Sequence, residues 1–232
     1  MTRLSANPSS PPEATFAPET SIPQALAETG AETGAETPRR RPPRIPSARL
    51  PEWERERPRG LWDPGRRLVR AIRRYQYWKA RPGPLAALVR RWWVIQHAFW
   101  SLMTQCDIPL TVEIGGGLML AHANGVVIHP KAKIGPNCLI MNQVTIGQGK
   151  NGGVPVLGGA VYLAPGCRVV GPIRVGDHAV VGLNAVLLKD MPPGSVAVGV
   201  PARIRVDPAR LPPEYLADPD PGPQGTEGRP SA

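Results

Sequence analysis

The chain lacks the features that define several common classes of protein. It has three cysteines in 232 residues, Cys106, Cys138 and Cys167, which are too few and wrongly spaced for a disulfide framework or a CxxC metal knuckle. It has no run of about 18 apolar residues, and it begins with a stretch rich in Ser, Pro and Glu. A membrane-spanning helix and a secretory signal are therefore not expected, and a reducing cytoplasm fits best.

Acidic residues are scarce in one short region. The formal net charge is +10, and residues 61–106 hold nine Lys or Arg against a single Asp. Because the excess is local, the pattern does not indicate a uniformly basic nucleic-acid-binding surface. No nucleic acid is expected as a partner.

Composition divides the chain into four segments. Residues 1–60 are rich in Pro, Ala and Glu, with too little apolar surface to offset the entropy of ordering, and we expect a disordered tail. Residues 207–232 form a second tail that is Pro-rich and acidic. Between the tails lie a basic, Trp-rich helical segment, 61–106, and a domain of different composition, 107–206.

The helical segment has the periodicity of two helices. The sequence Arg-Pro-Gly-Pro at 81–84 marks a loop between them, and Asp63 followed by Pro64 is typical of a helix start. Each helix carries an apolar stripe at steps of three or four. One interpretation is a helical cap that packs on the following domain; the other is peripheral docking on an anionic membrane or polymer. The stripe of the second helix comprises Leu85, Leu88, Trp92, Ile95, Phe99 and Leu102.

Residues 107–206 contain one aromatic residue, Tyr162, and repeat with a period of six. This period suits a short strand and a sharp turn repeated around a prism, with the first, aliphatic residue of each hexad inward and a small fifth residue at the corner. The register slips by two between Leu120 and Ile128, and a Gly-rich loop at 147–156 interrupts it. Three hexads per coil predict about four coils. Six successive aliphatic first positions are Leu157, Leu163, Val169, Val175, Val181 and Leu187.

Four stretches from Asp107 onward resemble the hexapeptide-repeat acyltransferases and, within them, the serine acetyltransferase branch. They are DIPLTVEIGGGLMLAHANGVVI at 107–128, NQVTIGQGK at 142–150, VVGPIRVGDHAVVGLNAVL at 169–187 and PPGSVAVGVPARI at 192–204. The resemblance implies a mainly β fold, a left-handed parallel β-helix that is usually a homotrimer, with acetyl-CoA as co-substrate. Zinc ligation as in hexapeptide-repeat carbonic anhydrases is not expected, because His122 and His129 are seven residues apart and the close pair there is five apart.

Acetyl transfer from a thioester to a hydroxyl requires a base that titrates near pH 7 and a group that orients this base. His122 is the candidate base, since an unperturbed imidazole titrates near about pH 6.5. The resemblance implies the same role, with Asp107 as the carboxylate that orients the imidazole. The two are 15 residues apart, close to one coil of about 18, so contact across adjacent coils is expected. The alternatives are a solvated turn histidine and a structural turn carboxylate.

Binding of coenzyme A requires backbone donors and positive charge. The Gly-rich loop offers N–H groups from Gly147 onward, and Lys150 offers a charge for phosphate; the alternative is a flexible exposed insertion. No cation adjoins Cys106, so a covalent acyl-cysteine is not expected, and direct attack in a ternary complex is favoured. The resemblance adds backbone near Ala164 and Gly182 for pantetheine, and Lys189 and Arg203 for the nucleotide phosphates.

The chain departs from the serine enzymes where they bind their acceptor. Ala121 stands where they usually have Asp before the His, and Val154-Pro155-Val156 stands where they usually have Arg-His-Pro. Zwitterionic serine needs an anion and a cation, whereas a sugar hydroxyl needs neither. We therefore predict an O-acetyltransferase of serine acetyltransferase type, acting in cysteine biosynthesis. The alternatives are acetylation of a sugar hydroxyl in surface polysaccharide biosynthesis and a non-catalytic trimeric scaffold.

Overall fold

The computed structural model describes residues 45–150 and 152–212. Most of the predicted N-terminal tail and nearly all of the predicted acidic tail lie outside these residues. The described part begins with two helices, α1 (Pro64–Lys79) and α2 (Pro84–Thr104), and continues into a series of short strands. Within this part, no helix combines the length and the apolar sequence needed to cross a bilayer.

The hexad repeat folds as a parallel β-helix. In the described range, twelve two- or three-residue strands form three faces, and each of the first nine pairs in parallel with the strand three places further along the chain. The strands are β1 (Glu113–Ile114), β2 (Met119–Leu120), β3 (Val127–Ile128), β4 (Lys133–Ile134), β5 (Leu139–Ile140), β6 (Thr145–Gly147), β7 (Val156–Leu157), β8 (Tyr162–Leu163), β9 (Arg168–Val170), β10 (Arg174–Val175), β11 (Val180–Val181) and β12 (Val186–Leu187). We call the face of β1, β4, β7 and β10 sheet 1, that of β2, β5, β8 and β11 sheet 2, and that of β3, β6, β9 and β12 sheet 3.

Two longer strands end the β-helix. β13 (Ser195–Val198) continues sheet 2 in parallel beside β11, and β14 (Arg203–Val206) returns antiparallel along β13. Four strands in each face make about four coils, so the predicted fold, a mainly β parallel β-helix after two helices, is confirmed.

The first residue of each hexad points into the β-helix, as predicted. Ile140 lies opposite Leu163, and Leu163 lies opposite Val181, so equivalent positions of successive coils stack on one another. All three side chains are fully buried. Small or β-branched residues fill the fifth positions, and these are also buried: Ala132, Cys138, Val144, Val161, Cys167, Ala179 and Ala185. An interior built from repeated aliphatic columns explains how a domain nearly free of aromatics forms a core.

Helix α1 packs on the first coil through one face. Leu68 and Ile72 are buried, and the helix approaches β2 so closely that a Cβ on Gly65 would lie 2.6 Å from the carbonyl oxygen of Leu120. On the same helix, the Arg73 guanidinium binds the Glu56 carboxylate at 2.8 Å and donates to the carbonyl oxygen of Ile114 at 2.6 Å. The cap interpretation therefore holds for α1.

Helix α2 differs from that interpretation. The residues that face the protein include Ala86, Trp100 and Thr104, whereas the predicted apolar stripe from Leu85 to Leu102 faces solvent. The stripe does not pack on the β-helix of its own chain, so the cap interpretation does not describe it and the interpretation as a docking surface stays open.

Residues 45–60, which the composition assigned to the disordered tail, run along the β-helix. The side-chain amide of Asn137 donates to the carbonyl oxygens of Ser47 and Leu50, both at 2.7 Å, and its oxygen accepts from the N–H of Glu52 at 2.8 Å. A 3₁₀ helix, Trp53–Glu56, follows and brings the Glu56 carboxylate to Arg73. The folded unit thus includes residues well before position 60.

Candidate active site

The turns that connect sheet 2 to sheet 3 form one long edge of the prism, which we call the 2/3 edge. Three of these turns have four residues, 141–144, 164–167 and 182–185, whereas the first, 121–126, has six. The two additional residues account for the slip in the hexad register. A turn of six residues extends further from the prism than the four-residue turns that stack beside it, so its side chains are more exposed.

His122 lies in this longer turn. Its backbone has a positive φ of 51°, a conformation that other turns of the same edge also contain, at Gln143 and Asn184. Of the chain's four histidines, all of which the structure describes, His122 alone is exposed. An accessible imidazole at a distinct turn suits a group that exchanges protons with a bound substrate.

Asp107 lies at the same end of the same edge. It forms a parallel bridge with Val127, donating its N–H to the carbonyl oxygen of Val126 at 2.8 Å and accepting from the N–H of Ile128 at 2.9 Å. Asp107 therefore lies beside β3 at the start of sheet 3, and β3 begins directly after the turn that holds His122. No hydrogen bond joins the two side chains in the part of the single chain that the structure describes, so their pairing stays a prediction.

Two polar residues beside this pair were missed by the sequence analysis. Asn124, two residues after His122, donates its side-chain amide to the side-chain oxygen Oε1 of Gln105, two residues before Asp107, at 3.5 Å. A backbone hydrogen bond joins the same two segments, from the N–H of Gly125 to the carbonyl oxygen of Thr104 at 3.1 Å. The slip in the hexad register was the available signal, because inserted residues in a repeat usually belong to a functional loop.

The predicted coenzyme A residues fall into two groups, and the first lies on the 2/3 edge. Ala164 and Gly182 occupy equivalent corners of successive coils, with the N–H of Ala164 donating to the carbonyl oxygen of Val181 at 2.9 Å. A Cβ on Gly182 would lie 2.9 Å from the Val198 side chain, so this corner has no room for a larger residue without a shift of Val198. Arg203, in β14, is exposed and pairs with Val198 of β13. Because Val198 adjoins Gly182, Arg203 lies on the same edge, nearer the C-terminal end of the β-helix.

The second group lies on the edge between sheet 3 and sheet 1, which we call the 3/1 edge. Gly147 ends β6, and the following loop is closed by a hydrogen bond from the N–H of Gly149 to the carbonyl oxygen of Gly153 at 3.2 Å. Lys150 is exposed on this loop. Lys189 is exposed just after β12, on the same edge two coils further along. The two groups thus flank sheet 3 from opposite sides.

The remaining histidines have structural surroundings. His97 Nε2 lies 2.8 Å from the carbonyl oxygen of Ile108, and His129 Nδ1 accepts from the N–H of Lys131 at 3.2 Å. His178 is buried, and burial lowers its pKa, against the opposing charge of Asp177. His122 is left as the imidazole placed to act on a substrate.

The cysteines lie inside the protein. All three are free and buried, and burial raises the pKa of both Cys138 and Cys167 to about 12. A thiol with such a pKa is almost entirely protonated at neutral pH and is a weak nucleophile. This environment argues against an acyl-cysteine intermediate and for direct attack by the acceptor.

The parallel β-helix of hexads is the fold of the hexapeptide-repeat proteins, and an exposed histidine lies in the one enlarged 2/3 corner among the described coils. No protein-family model matches the chain. It is 41% identical over 120 residues to the serine acetyltransferase of Helicobacter pylori, a match that covers 49% of this chain and 70% of that protein. It is 38% identical over 109 residues to the serine acetyltransferase of Mycobacterium tuberculosis, covering 46% of this chain and 48% of that protein. The chain belongs to the serine acetyltransferase family, although it matches only about half the length of the latter relative.

Solved structures agree with this assignment. The soybean serine acetyltransferase apoenzyme superposes with a TM-score of 0.53 at 34% identity, over 62% of this chain and 59% of that one. The Neisseria gonorrhoeae serine acetyltransferase in complex with serine gives 0.53 at 30% identity, over 63% and 58% of the two chains. A serine acetyltransferase in complex with CoA gives 0.53 at 28% identity, over 62% and 58%. The predicted resemblance is thereby confirmed.

Proposed function

We propose that the chain is an acetyl-CoA-dependent serine O-acetyltransferase, which makes O-acetylserine for cysteine biosynthesis. The observation that carries the proposal is the position of His122, exposed in the enlarged corner of the first coil, beside Asp107 at the same end of the edge. Membership of the serine acetyltransferase family supports the substrate, and a family structure in complex with CoA supports the acetyl donor. The chemistry belongs in the cytoplasm, where acetyl-CoA is available and thiols stay reduced.

In the proposed reaction, His122 acts as a general base. Its unprotonated nitrogen takes the proton of the serine hydroxyl while the oxygen attacks the thioester carbonyl, and the resulting tetrahedral intermediate carries a negative oxygen. When the carbon–sulfur bond breaks, the coenzyme A thiolate takes the proton from the imidazolium. Asp107, accepting a hydrogen bond from the other ring nitrogen, would orient the imidazole and stabilise its charged form.

Coenzyme A binding is proposed to use both edges that flank sheet 3. Backbone groups at Ala164 and Gly182 would bind the pantetheine, and Arg203 would bind phosphate at the lower end of the 2/3 edge. Gly147, Lys150 and Lys189 would act from the 3/1 edge. Because these groups face away from one another across sheet 3, we infer that the loop of one subunit completes the site of its neighbour.

This arrangement supports a homotrimer. Exposed apolar side chains lie on sheet 3 and on both of its edges. Val127 lies on the face itself, Leu183 on the 2/3 edge and Leu188 on the 3/1 edge, and each is at least 41% exposed. Contact between neighbouring prisms through this face would bury them, which is favourable for apolar surface.

A sugar hydroxyl is the second candidate acceptor, favoured by one observation. Ala121, directly before His122, offers no carboxylate for an ammonium group, and the loop residues Val154 to Val156 offer no cation for a carboxylate. A neutral acceptor would need neither group.

The deciding experiment measures thiol release from acetyl-CoA by the purified chain with L-serine and, separately, with free and nucleotide-linked sugars. Mass spectrometry identifies the acetylated product. Saturable formation of O-acetylserine supports the proposal, whereas turnover with sugars alone replaces serine as the acceptor. Binding of acetyl-CoA without turnover of any acceptor supports the scaffold.

A matched variant sharpens the result. Ala121→Asp restores the carboxylate that the serine enzymes usually have at this place, and it should lower the KM for serine because a carboxylate pairs with the ammonium group. Ala160→Asp, at a turn on a different edge, controls for the added charge. A KM that changes equally in both variants would argue against a serine pocket beside His122.

A further inference from the structure

Helix α2 is amphipathic, but in the opposite sense from a helix that packs on its own protein. Its inward face is formed by small or polar residues, such as Ala86, His97 and Thr104, together with Trp100. Its outward face carries the large apolar residues, whose side chains are 46–71% exposed. They are Leu85, Leu88, Trp92, Ile95, Phe99 and Leu102, and we call them the α2 stripe.

The α2 stripe is continuous along the helix. Its members follow at steps of three or four, which keeps them on one side over a length of about 25 Å. Trp62 is a further exposed aromatic residue near the helix, with its ring edge-on to Trp100 at 5.9 Å and 71% exposed. Monomeric proteins rarely leave a continuous apolar surface of this kind uncovered.

Positive charge surrounds the α2 stripe. Residues 64–104 contain nine Lys or Arg and no Asp or Glu, and of the nine only Arg66 and Arg73 form ion pairs in the described part of the chain, with Asp63 and Glu56. A shallow groove beside the stripe is lined by Arg67 and Arg70 together with Trp92 and Trp93. Arg81 lies at the loop before α2, with its guanidinium over the ring of Tyr77 at 3.4 Å. The surface is therefore apolar in its centre, cationic at its borders and rich in indole rings.

We propose that α2 binds the surface of an anionic membrane, with the stripe in the boundary between headgroups and acyl chains. Arginines at its borders would bind lipid phosphates, and Trp side chains suit the same interfacial depth. A second copy of the chain joined stripe to stripe fits this surface less well, because it would bring the exposed arginines beside the two stripes, such as Arg91, against each other. Anionic lipid supplies the opposite charge. The inference is independent of the acetyl acceptor.

Co-sedimentation with vesicles tests the proposal on the full chain. Vesicles of phosphatidylcholine alone are compared with vesicles containing about 30% phosphatidylglycerol. We expect binding to the anionic vesicles, with the affinity falling as salt rises, and at least about tenfold weaker binding to the neutral ones. The double variant Leu88→Ser/Ile95→Ser should bind anionic vesicles at least about tenfold more weakly, because it removes apolar contact with the acyl boundary.

A charge-reversal pair controls for folding and for net charge. Arg91→Glu, on the exposed side of α2, should weaken binding about fivefold or more, while Arg205→Glu, the same change on β14, should have less than half that effect on a logarithmic scale. If the double variant fails to fold by circular dichroism, this pair still decides the question. The vesicle measurement requires no turnover, so its outcome is separate from that of the proposed function.

Three results would overturn the proposal. One is failure of the wild-type chain to bind anionic vesicles. Another is undiminished binding by both the stripe variant and Arg91→Glu. The third is a stripe variant whose molar mass by light scattering falls below that of the wild type, with no vesicle binding by either, which would show that the stripe joins copies of the chain.

Discussion

The β-helix and helix α2 carry equally regular apolar patterns, but the β-helix buries its apolar residues in the interior and α2 exposes them to solvent. Every hexad from Leu157 to Leu187 buries its first residue, whereas the α2 stripe is exposed throughout. In the β-helix, an aliphatic residue is covered by its own equivalent one coil away, so the repeat supplies its own partner. The sequence of an amphipathic helix defines an apolar face but does not identify the surface that packs against it. Regular apolar spacing therefore predicts burial only where the pattern contains its own neighbour.

The sharpest division between the two regions should be in catalysis, which we expect to depend on the β-helix edge and not on α2. His122→Asn keeps a residue that tolerates the positive φ at this turn but removes the base. Turnover of acetyl-CoA should fall by about 10²–10⁴-fold, with little change in coenzyme A affinity, because base catalysis is typically worth that much. Steady-state kinetics and calorimetric titration with coenzyme A measure the two quantities.

Two controls accompany this prediction. His129→Asn changes another turn histidine, and Ile95→Ser changes the α2 stripe; both should keep turnover with a soluble acceptor within about twofold. Unchanged turnover in His122→Asn would remove His122 from the mechanism.

Stability should divide the regions next. Ile140 is fully buried between β2 and β8, and Ile140→Ala should lower the free energy of unfolding by about 2–5 kcal/mol through lost burial and a cavity. Ile95→Ala makes the same chemical change on the α2 stripe and should cost no more than about 0.5 kcal/mol. Denaturant unfolding at one protein concentration measures both variants. Equal losses would mean that the stripe is covered in the free protein.

The junction between helices and β-helix should show a smaller effect. Arg73 reaches from α1 to Glu56 and to two carbonyl oxygens of the first coil, and Glu56 accepts from the N–H of Leu118 at 3.0 Å. Arg73→Ala leaves a largely buried carboxylate without its cation and should destabilise the chain by about 1–3 kcal/mol. Arg74→Ala, one position along and exposed, is the control, with an expected change of at most about 0.5 kcal/mol. Indistinguishable melting of the two variants would argue against this junction.

Much of the fold could be predicted because a period of six constrains every residue in the same way. The order of residues 45–60 could not, because it depends on Asn137, which is about ninety residues away, and the Pro-rich composition of the segment gives no local sign of that contact. The orientation of α2 was equally hidden. Its apolar stripe was visible in the sequence, but the sequence did not show that the stripe faces away from the β-helix.

For the site, the 15-residue spacing of His122 and Asp107, close to one coil, predicted contact across adjacent coils. Asp107 bridges Val127, five residues after His122, and the side-chain contact itself stays a prediction. The division of the coenzyme A residues between two edges was not foreseen. Hexads are alike in sequence, so a turn does not reveal which edge it occupies once the loop after Gly147 has broken the count. Their roles stay predictions until the variants are measured.

The smallest effect we predict concerns pH and the third edge of the prism, between sheet 1 and sheet 2. His178 is buried there with a φ of 56°, at the same place in its coil as Ala160 and Asn137, whose φ values are 54° and 59°. Burial lowers the pKa of His178 in the folded state, against the attraction of Asp177. The unfolded chain, in which histidine titrates near about 6.5, therefore takes up the proton first as the pH falls.

The stabilising contribution of neutral His178 is consequently complete above about pH 6.5 and declines below it, until the pH has passed the folded pKa. One proton limits the slope to about 1.4 kcal/mol per pH unit. His178→Asn, which suits the turn as Asn137 does, should make the loss of stability between pH 7 and pH 5 shallower, as measured by denaturant unfolding across that range. Ala160→Asn changes the equivalent turn without removing a titratable group and should leave the slope as it is. If His178→Asn follows the wild-type pH profile, the acid sensitivity of the β-helix arises elsewhere, and this buried imidazole contributes only its shape.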